Sequence, residues 1–292
     1  MSTSRGHGEP DGPMAVRMLV GAQLRKLREQ SGLSRAEAGH PIRASESKIS
    51  RMELGRVGFK ERDVEDLLGL YGVPEGEERD ALLARVREAN APTWWQPYTD
   101  VTPEWFQRYL GLEATANLIR TYEVQFVPGL LQTEEYARAV VRLGHARASQ
   151  EEVERRVRLR MERQQLLRRP DPPTVWAVVD ETALRRPVGG RRVMRDQLES
   201  LIGVVTKASN VRLQVLPFRA GGHSGAGGAF SILRFPHQEL PDLVYIEQLT
   251  SALYLEKRDD VEYYFDAVNR LFVDAAPPAQ TVEILERIVR EI

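Results

Sequence analysis

Apolar residues recur at helical spacing through the N-terminal part of the chain. Val16 to Gln30 reads as a helix with Val20, Leu24 and Leu27 on one face, ended by Ser31-Gly32. Leu33, Ala38, Ile42, Ile49 and Met52 then fall where two short helices would close on each other, and Ser45 is placed to cap the second. The side chains this leaves outward, Glu46, Ser47, Lys48, Ser50 and Arg51, are all polar. A fourth helix spans Lys60 to Tyr71 before Gly72-Val73-Pro74. A fifth, Glu75 to Asn90, carries Leu82, Leu83 and Val86 behind an acidic first turn and stops at Pro92.

Beyond Pro92 the pattern changes twice. Trp94-Trp95-Gln96-Pro97-Tyr98 has no period and is expected to form a buried hinge in preference to an exposed contact surface. Pro103 opens a helix, Glu104 to Leu112, and Ala114 to Glu123 continues as a second helix or, at its end, a short strand. Tyr122 to Val127 is extended and apolar, Pro128-Gly129 turns the chain, and Thr133 caps a helix with Glu134 and Glu135 in its first turn. Ser149 and Glu152 form a capping-box pattern opening a helix to Arg169. The pairs Glu152/Arg156 and Glu154/Arg158 stand four apart along it, and its arginines are expected to make a solvated face. From Pro170 strands alternate with helices: strands at Val175–Val179, Val211–Phe218, Ala229–Phe235, Leu243–Gln248 and Ala252–Glu256, the last pairing back as a hairpin, and helices at Arg191–Ala208, Val261–Phe272 and Thr281–Ile292.

The stretch LSRAEAGHPIRASESKISRMELGR, Leu33 to Arg56, spaces helix, turn and helix as DNA-reading proteins do, and it resembles the Xre or Cro/repressor-type helix-turn-helix. That family is a five-helix domain whose third helix reads base edges. Two positions depart from its pattern. Pro41 lies inside the expected second helix, which should therefore end early. Arg43 stands where glycine is usual, so the turn is expected to be rebuilt around Pro41 rather than kept left-handed. Further motifs, VPGLLQTEEYAR at Val127 to Arg138, VDETALRRPVGG at Val179 to Gly190, LPF at Leu216 to Phe218 and VYIE at Val244 to Glu247, resemble the C-terminal region found behind such heads in many actinobacterial regulators.

The resemblance implies an antitoxin-like transcriptional regulator paired with a small acidic protein encoded nearby; because one head reads only a half-site, a homodimer on a palindromic double-stranded operator is expected, and no cofactor is expected. Matched residue by residue, it implies that Glu46, Ser47, Ser50 and Arg51 face bases and that Arg35, Lys48, Arg56 and Lys60 meet phosphates. It also implies a partly buried ion pair between Arg28 and Glu53. Homodimer contacts are expected after Trp94. The partner is expected at Pro128, Leu130 and Leu131 or at the basic Arg185, Arg186, Arg191 and Arg192, where a solvated face is the alternative.

Composition narrows the remaining classes. The chain is 292 residues long with a net charge of -1, so it does not coat nucleic acid. Up to Arg62, however, twelve Lys and Arg stand against seven Asp and Glu, a basic head on an acidic body. With no cysteine, disulfides and thiolate chemistry are excluded; with no long apolar run, a cytoplasmic protein without a membrane span is expected. The expected organisation is a disordered tail at 1–13, the helix-turn-helix domain at 14–91, an aromatic linker at 92–101, a helical part at 102–169 and an α/β part at 170–292. The fold class is mainly α with an α+β C-terminal part.

Enzymatic patterns are weak. Gly221 to Gly228 lacks Walker and dinucleotide spacing, and is expected to be a flexible connection. His223 beside Ser224 has no local carboxylate to orient it, the five histidines lack metal-ligand spacing, and Asp180-Glu181 is as easily a cap as a catalytic pair. A small-ligand-sensing regulator is the alternative, with binding at the strand ends, and an enzyme with a DNA-targeting head ranks third.

Overall fold

The computed structural model describes residues 12–292 and divides into two compact units, one through Gln96 with Pro236–Leu240, the other Pro97–Phe235 with Pro241–Ile292. The first is helical. Its five helices are α1 (Pro13–Gln30), α2 (Arg35–Gly39), α3 (Glu46–Glu53), α4 (Glu61–Leu70) and α5 (Glu77–Ala89). Of the expected disordered tail, residues 1–11 lie outside the described chain, and Pro13 belongs instead to the first turn of α1, where its missing N–H costs nothing.

One apolar core unites these helices. Val20 and Leu24 of α1, Ile49 and Met52 of α3, Val64, Leu67 and Leu68 of α4, and Leu83 and Val86 of α5 are all buried in it. Helix α1 and α3 approach backbone to backbone at Gly21, where an added Cβ would meet the Met52 and Glu53 carbonyl oxygens at 2.6 and 2.7 Å. Helix α2 does end before Pro41. The turn, however, is not rebuilt: Arg43 keeps a left-handed conformation at φ 51°, because closing the loop requires its N–H to reach the His40 carbonyl and the Ala44 N–H to reach that of Gly39. Arg43→Gly should relieve this strain and, after the added freedom of the unfolded chain, raise the stability of the head by roughly 0.5–1 kcal/mol. Chemical denaturation of the two proteins measures it, and an unchanged or lower midpoint would show that the turn is unstrained.

The second unit is α/β. Helix α6 (Glu104–Thr115) leads into β1 (Leu118–Glu123), so the stretch after Ala114 is a strand rather than a second helix. The remaining elements are α7 (Glu134–Gly144), α8 (Gln150–Arg163), β2 (Thr174–Asp180), α9 (Glu181–Arg185), α10 (Arg191–Lys207), β3 (Val211–Leu216), β4 (Phe230–Arg234), β5 (Leu243–Glu247), β6 (Ala252–Leu255), α11 (Arg258–Asp274) and α12 (Thr281–Glu291). They build one six-stranded sheet in the order β3-β2-β1-β4-β5-β6. Strands β3, β2 and β1 run parallel, joined by helical crossovers, while β4, β5 and β6 pair antiparallel.

Alternation along the strands gives the sheet two different faces. Tyr122, Val178, Leu216, Phe230, Ile232, Val244 and Ile246 pack with Val261, Val268 and Leu271 of α11 in an apolar core. On the opposite face, near the centre of the sheet, the layer is polar. Ser231 bonds Thr121, Tyr245 stacks on Tyr109 of α6 with ring centroids 4.0 Å apart, and Arg163 grips Glu113 through two bonds of 2.5 and 2.6 Å.

Helix α8 corrects the expected solvated arginine face. It ends at Arg163 and passes into a 3₁₀ turn, Gln164–Arg168. Glu152 caps Ser149 and Glu154 takes Arg138, so neither forms the intrahelical pair expected of it. Arg163 is buried, Arg155 holds Asp100, and Arg156 donates to the Val101 carbonyl. In the aromatic segment Trp95 and Tyr98 are buried, while Trp94 is 39% exposed.

Candidate nucleic-acid interface

Eight residues are too few for a helix to stand alone, so α3 depends on its cap and on its packing. The Ser45 hydroxyl accepts from the Lys48 N–H at 3.2 Å. Ile49 and Met52, each 1% exposed, anchor the inner face, each stabilising it by about 1.5–3 kcal/mol. Glu46, Ser47 and Arg51 are exposed and Ser50 is partly so, which puts the base-facing candidates on one solvent side of the helix. Arg51 returns only a long 3.4 Å contact to the Ser47 carbonyl and is otherwise extended toward water.

The scaffold behind α3 is ionic. Glu53, whose side chain is 2% exposed, receives Arg28 Nε at 2.5 Å and Nη2 at 3.2 Å, and Arg28 Nη1 also holds the Leu33 carbonyl at 2.7 Å. Arg35 adds a third bond to Glu53, at 3.0 Å. One carboxylate therefore ties α1, α2 and α3 together.

The four phosphate candidates are not equally placed. Arg35 is committed to Glu53, and Lys48 Nζ lies 2.7 Å from Asp63 of α4. Arg56 and Lys60 are exposed. The capping box at Ser34 and Glu37, which fixes the start of α2, was missing from the sequence-based expectation although its S-x-x-E spacing is visible there.

The second unit changes three expectations. Pro128, Leu130 and Leu131 are buried in its core, so the VPGLLQT turn offers them to no partner. Arg185 is held by Glu181 at 2.7 Å and Glu291 at 2.5 Å; Arg186, Arg191 and Arg192 are exposed, with Arg191 donating to the Ile292 carbonyl at 2.8 Å and Arg192 lying 3.5 Å from Asp196. The glycine-rich loop is not an open connection: Gly225 lies so close to the Tyr122 ring that an added Cβ would come within 2.4 Å of it.

His223 does meet a carboxylate, brought by the fold rather than the sequence. Its Nδ1 accepts from the Gly225 N–H at 3.1 Å, which leaves the proton on Nε2, 3.9 Å from Asp180 and 3.5 Å from the Tyr122 hydroxyl. Ser224 donates instead to the Ala267 carbonyl at 2.8 Å, so its hydroxyl is not paired with the imidazole as a serine nucleophile would be. Asp180 caps α9 by accepting from the Thr182 N–H. Among the described residues no cluster of three or more potential ligands could hold a metal, and no helix is long and apolar enough to cross a membrane.

Residues 19–82 match the model of a helix-turn-helix domain. Residues 106–287 match the model of a family described as a domain of unknown function, DUF5753. No curated protein and no solved structure matches the chain.

Proposed function

The chain belongs to the DUF5753 family and carries a helix-turn-helix domain ahead of that region; from this premise we propose that it is a sequence-specific, Xre-type transcriptional regulator that binds its operator as a homodimer. The carrying observation is α3, a capped helix whose inner face is clamped by Ile49, Met52 and Glu53 and whose outer face holds only polar side chains. Such a helix enters a major groove without exposing apolar surface. One head reads a half-site, so useful affinity requires two heads about one helical turn apart, held by a symmetric assembly of the second unit.

Selection of bound duplexes from a random pool tests this reading and gives the half-site spacing. Arg51→Ala should cost about 1–3 kcal/mol on the selected site and relax preference at one base pair. Lys60→Ala should weaken selected and scrambled duplexes alike and flatten the salt dependence. A pool that yields no enriched sequence, or an Arg51→Ala protein with unchanged binding curves, would sink the proposal. The full chain should be dimeric in light scattering.

The regulator is also proposed to receive a small acidic protein, encoded beside it, at Arg186, Arg191 and Arg192. These side chains are exposed and cationic, unlike the buried VPGLLQT turn. Charge reversal at Arg191 and Arg192 should abolish co-purification. Retention of the neighbour by that variant would remove the surface from consideration.

A further inference from the structure

The two rims of the six-stranded sheet are finished differently. Along β3 the chain returns to cover the rim: the Ala276 N–H donates to the Val215 carbonyl at 2.9 Å, and the Thr281 hydroxyl to that of Leu213 at 2.6 Å. Strand β6 forms the other rim. At the head of its hairpin the Gln248 N–H donates to the Ser251 carbonyl at 2.9 Å, which makes 248 and 251 a hydrogen-bonded pair. Bonded and non-bonded pairs alternate along an antiparallel ladder, and here Ile246 pairs with Leu253 and Tyr245 with Tyr254. Leu253 and Leu255 therefore turn their N–H and C=O groups toward β5, whereas Ala252 and Tyr254 turn theirs outward. Among the described residues no hydrogen bond reaches those outward groups.

An open rim is a template for strand pairing, and proteins guard it with charges, proline or bulges. Ala252–Leu255 carries none of the three. The strand is also firmly held. Tyr254 donates its hydroxyl to the Trp105 carbonyl of α6, and Arg108 of the same helix pairs with Glu256 at 2.7 Å. Leu253, on the face opposite Tyr254, is 51% exposed, although its cross-strand neighbour Ile246 is buried in the α11 core. The apolar core thus runs out to this rim and stops there uncovered.

We propose that β6 is the homodimer interface, where a second copy of the chain adds its own β6 antiparallel across a two-fold axis to make one continuous sheet. The inference rests on the dimeric reading above and locates its interface. With the axis at Leu253, Ala252 of each copy faces Tyr254 of the other, and these bonded pairs satisfy every outward group at once. Leu253 then meets its own copy in a non-bonded pair, where side chains stand closest, and the exposed apolar surface is covered. An unrelated peptide could match the hydrogen bonds, but only the chain's own rim places leucine against leucine by symmetry.

The chain has no cysteine, so Leu253→Cys tests the axis directly. Paired Cα atoms about 4.5 Å apart lie within disulfide reach, and mild oxidation of the full-length variant should yield a covalent dimer. Leu249→Cys, fully exposed at the hairpin tip but more than about 20 Å from its copy in this register, should not. In sedimentation equilibrium Leu253→Lys and Leu253→Glu should each raise the dimer Kd at least about 10-fold, because like charges then stand opposite, and mixing the two proteins should restore the dimer. Ala252→Pro removes an outward N–H and no bond to β5, so it weakens the dimer in a folded protein and keeps the test open if the charged variants fail to fold. A monomeric parent chain overturns both the interface and the dimeric reading, and leaves the rim to another protein. A dimeric parent whose Kd is unmoved in folded Leu253→Lys or Ala252→Pro protein, or whose Leu253→Cys variant traps no dimer, overturns the interface alone.

Discussion

Glu53→Ala is expected to destabilise the helical head strongly while leaving the α/β unit intact. The substitution strands the Arg28 guanidinium, whose side chain is 8% exposed, and frees Arg35 at the same time. Breaking one side of such a buried pair costs about 3–5 kcal/mol. For a domain of this size the melting temperature should fall by roughly 12 °C or more. DNA binding should fall with it, because the carboxylate that holds α1, α2 and α3 together is gone. Calorimetry of the full chain checks this, and a head transition within about 4 °C of the parent would show that Ile49 and Met52 suffice to seat the helix. Replacing Arg28 and Glu53 together by methionine should recover much of the loss, since no unpaired buried charge then remains and Arg35 is 35% exposed.

The second large effect is expected in the other unit, from Glu113→Ala. Glu113 is 1% exposed and holds Arg163 through two bonds while accepting from the Tyr109 hydroxyl at 3.0 Å. Its loss leaves a guanidinium and a phenol unpaired inside the polar layer, again at about 3–5 kcal/mol. Spread over a larger unit, this lowers the body transition by roughly 6–20 °C and leaves the head transition in place. A shift of the head transition instead would mean that the two units do not melt independently.

The contrast between these two pairs shows what was legible in the sequence. Arg28 and Glu53 were matched through a motif with fixed spacing, and the structure pairs them. Glu113 and Arg163 belong to no motif. They lie on helices that read as ordinary amphipathic and charged segments, and only the sheet order brings them together. The helices of the head and most strands of the body were visible because period 3.6 and period 2 are local signals. Strand β1 was half hidden because a single strand follows a helix without a breaker between them. Arg155, Arg156 and Arg163 of α8 depart from the expected solvated face, while Arg158 keeps to it, because interleaved Glu and Arg look the same whether water or a polar protein layer faces them. His223 repeats the lesson, since its carboxylate neighbour arrives from β2, far away in the chain. Arg43 erred in the other direction, because loop closure outweighed a conformational cost of about 1 kcal/mol.

The division of labour within α3 bears on how such a protein changes over time. The helix is seated by Ile49, Met52, Glu53, the Ser45 cap and the Lys48–Asp63 pair, not by the side chains of Glu46, Ser47 or Arg51. The outer positions are thus free to vary without being tested by folding. A lineage can drift to a new operator through a succession of intact proteins, and a laboratory library randomised at Glu46, Ser47, Ser50 and Arg51 should consist largely of folded members that differ in the sequence they prefer.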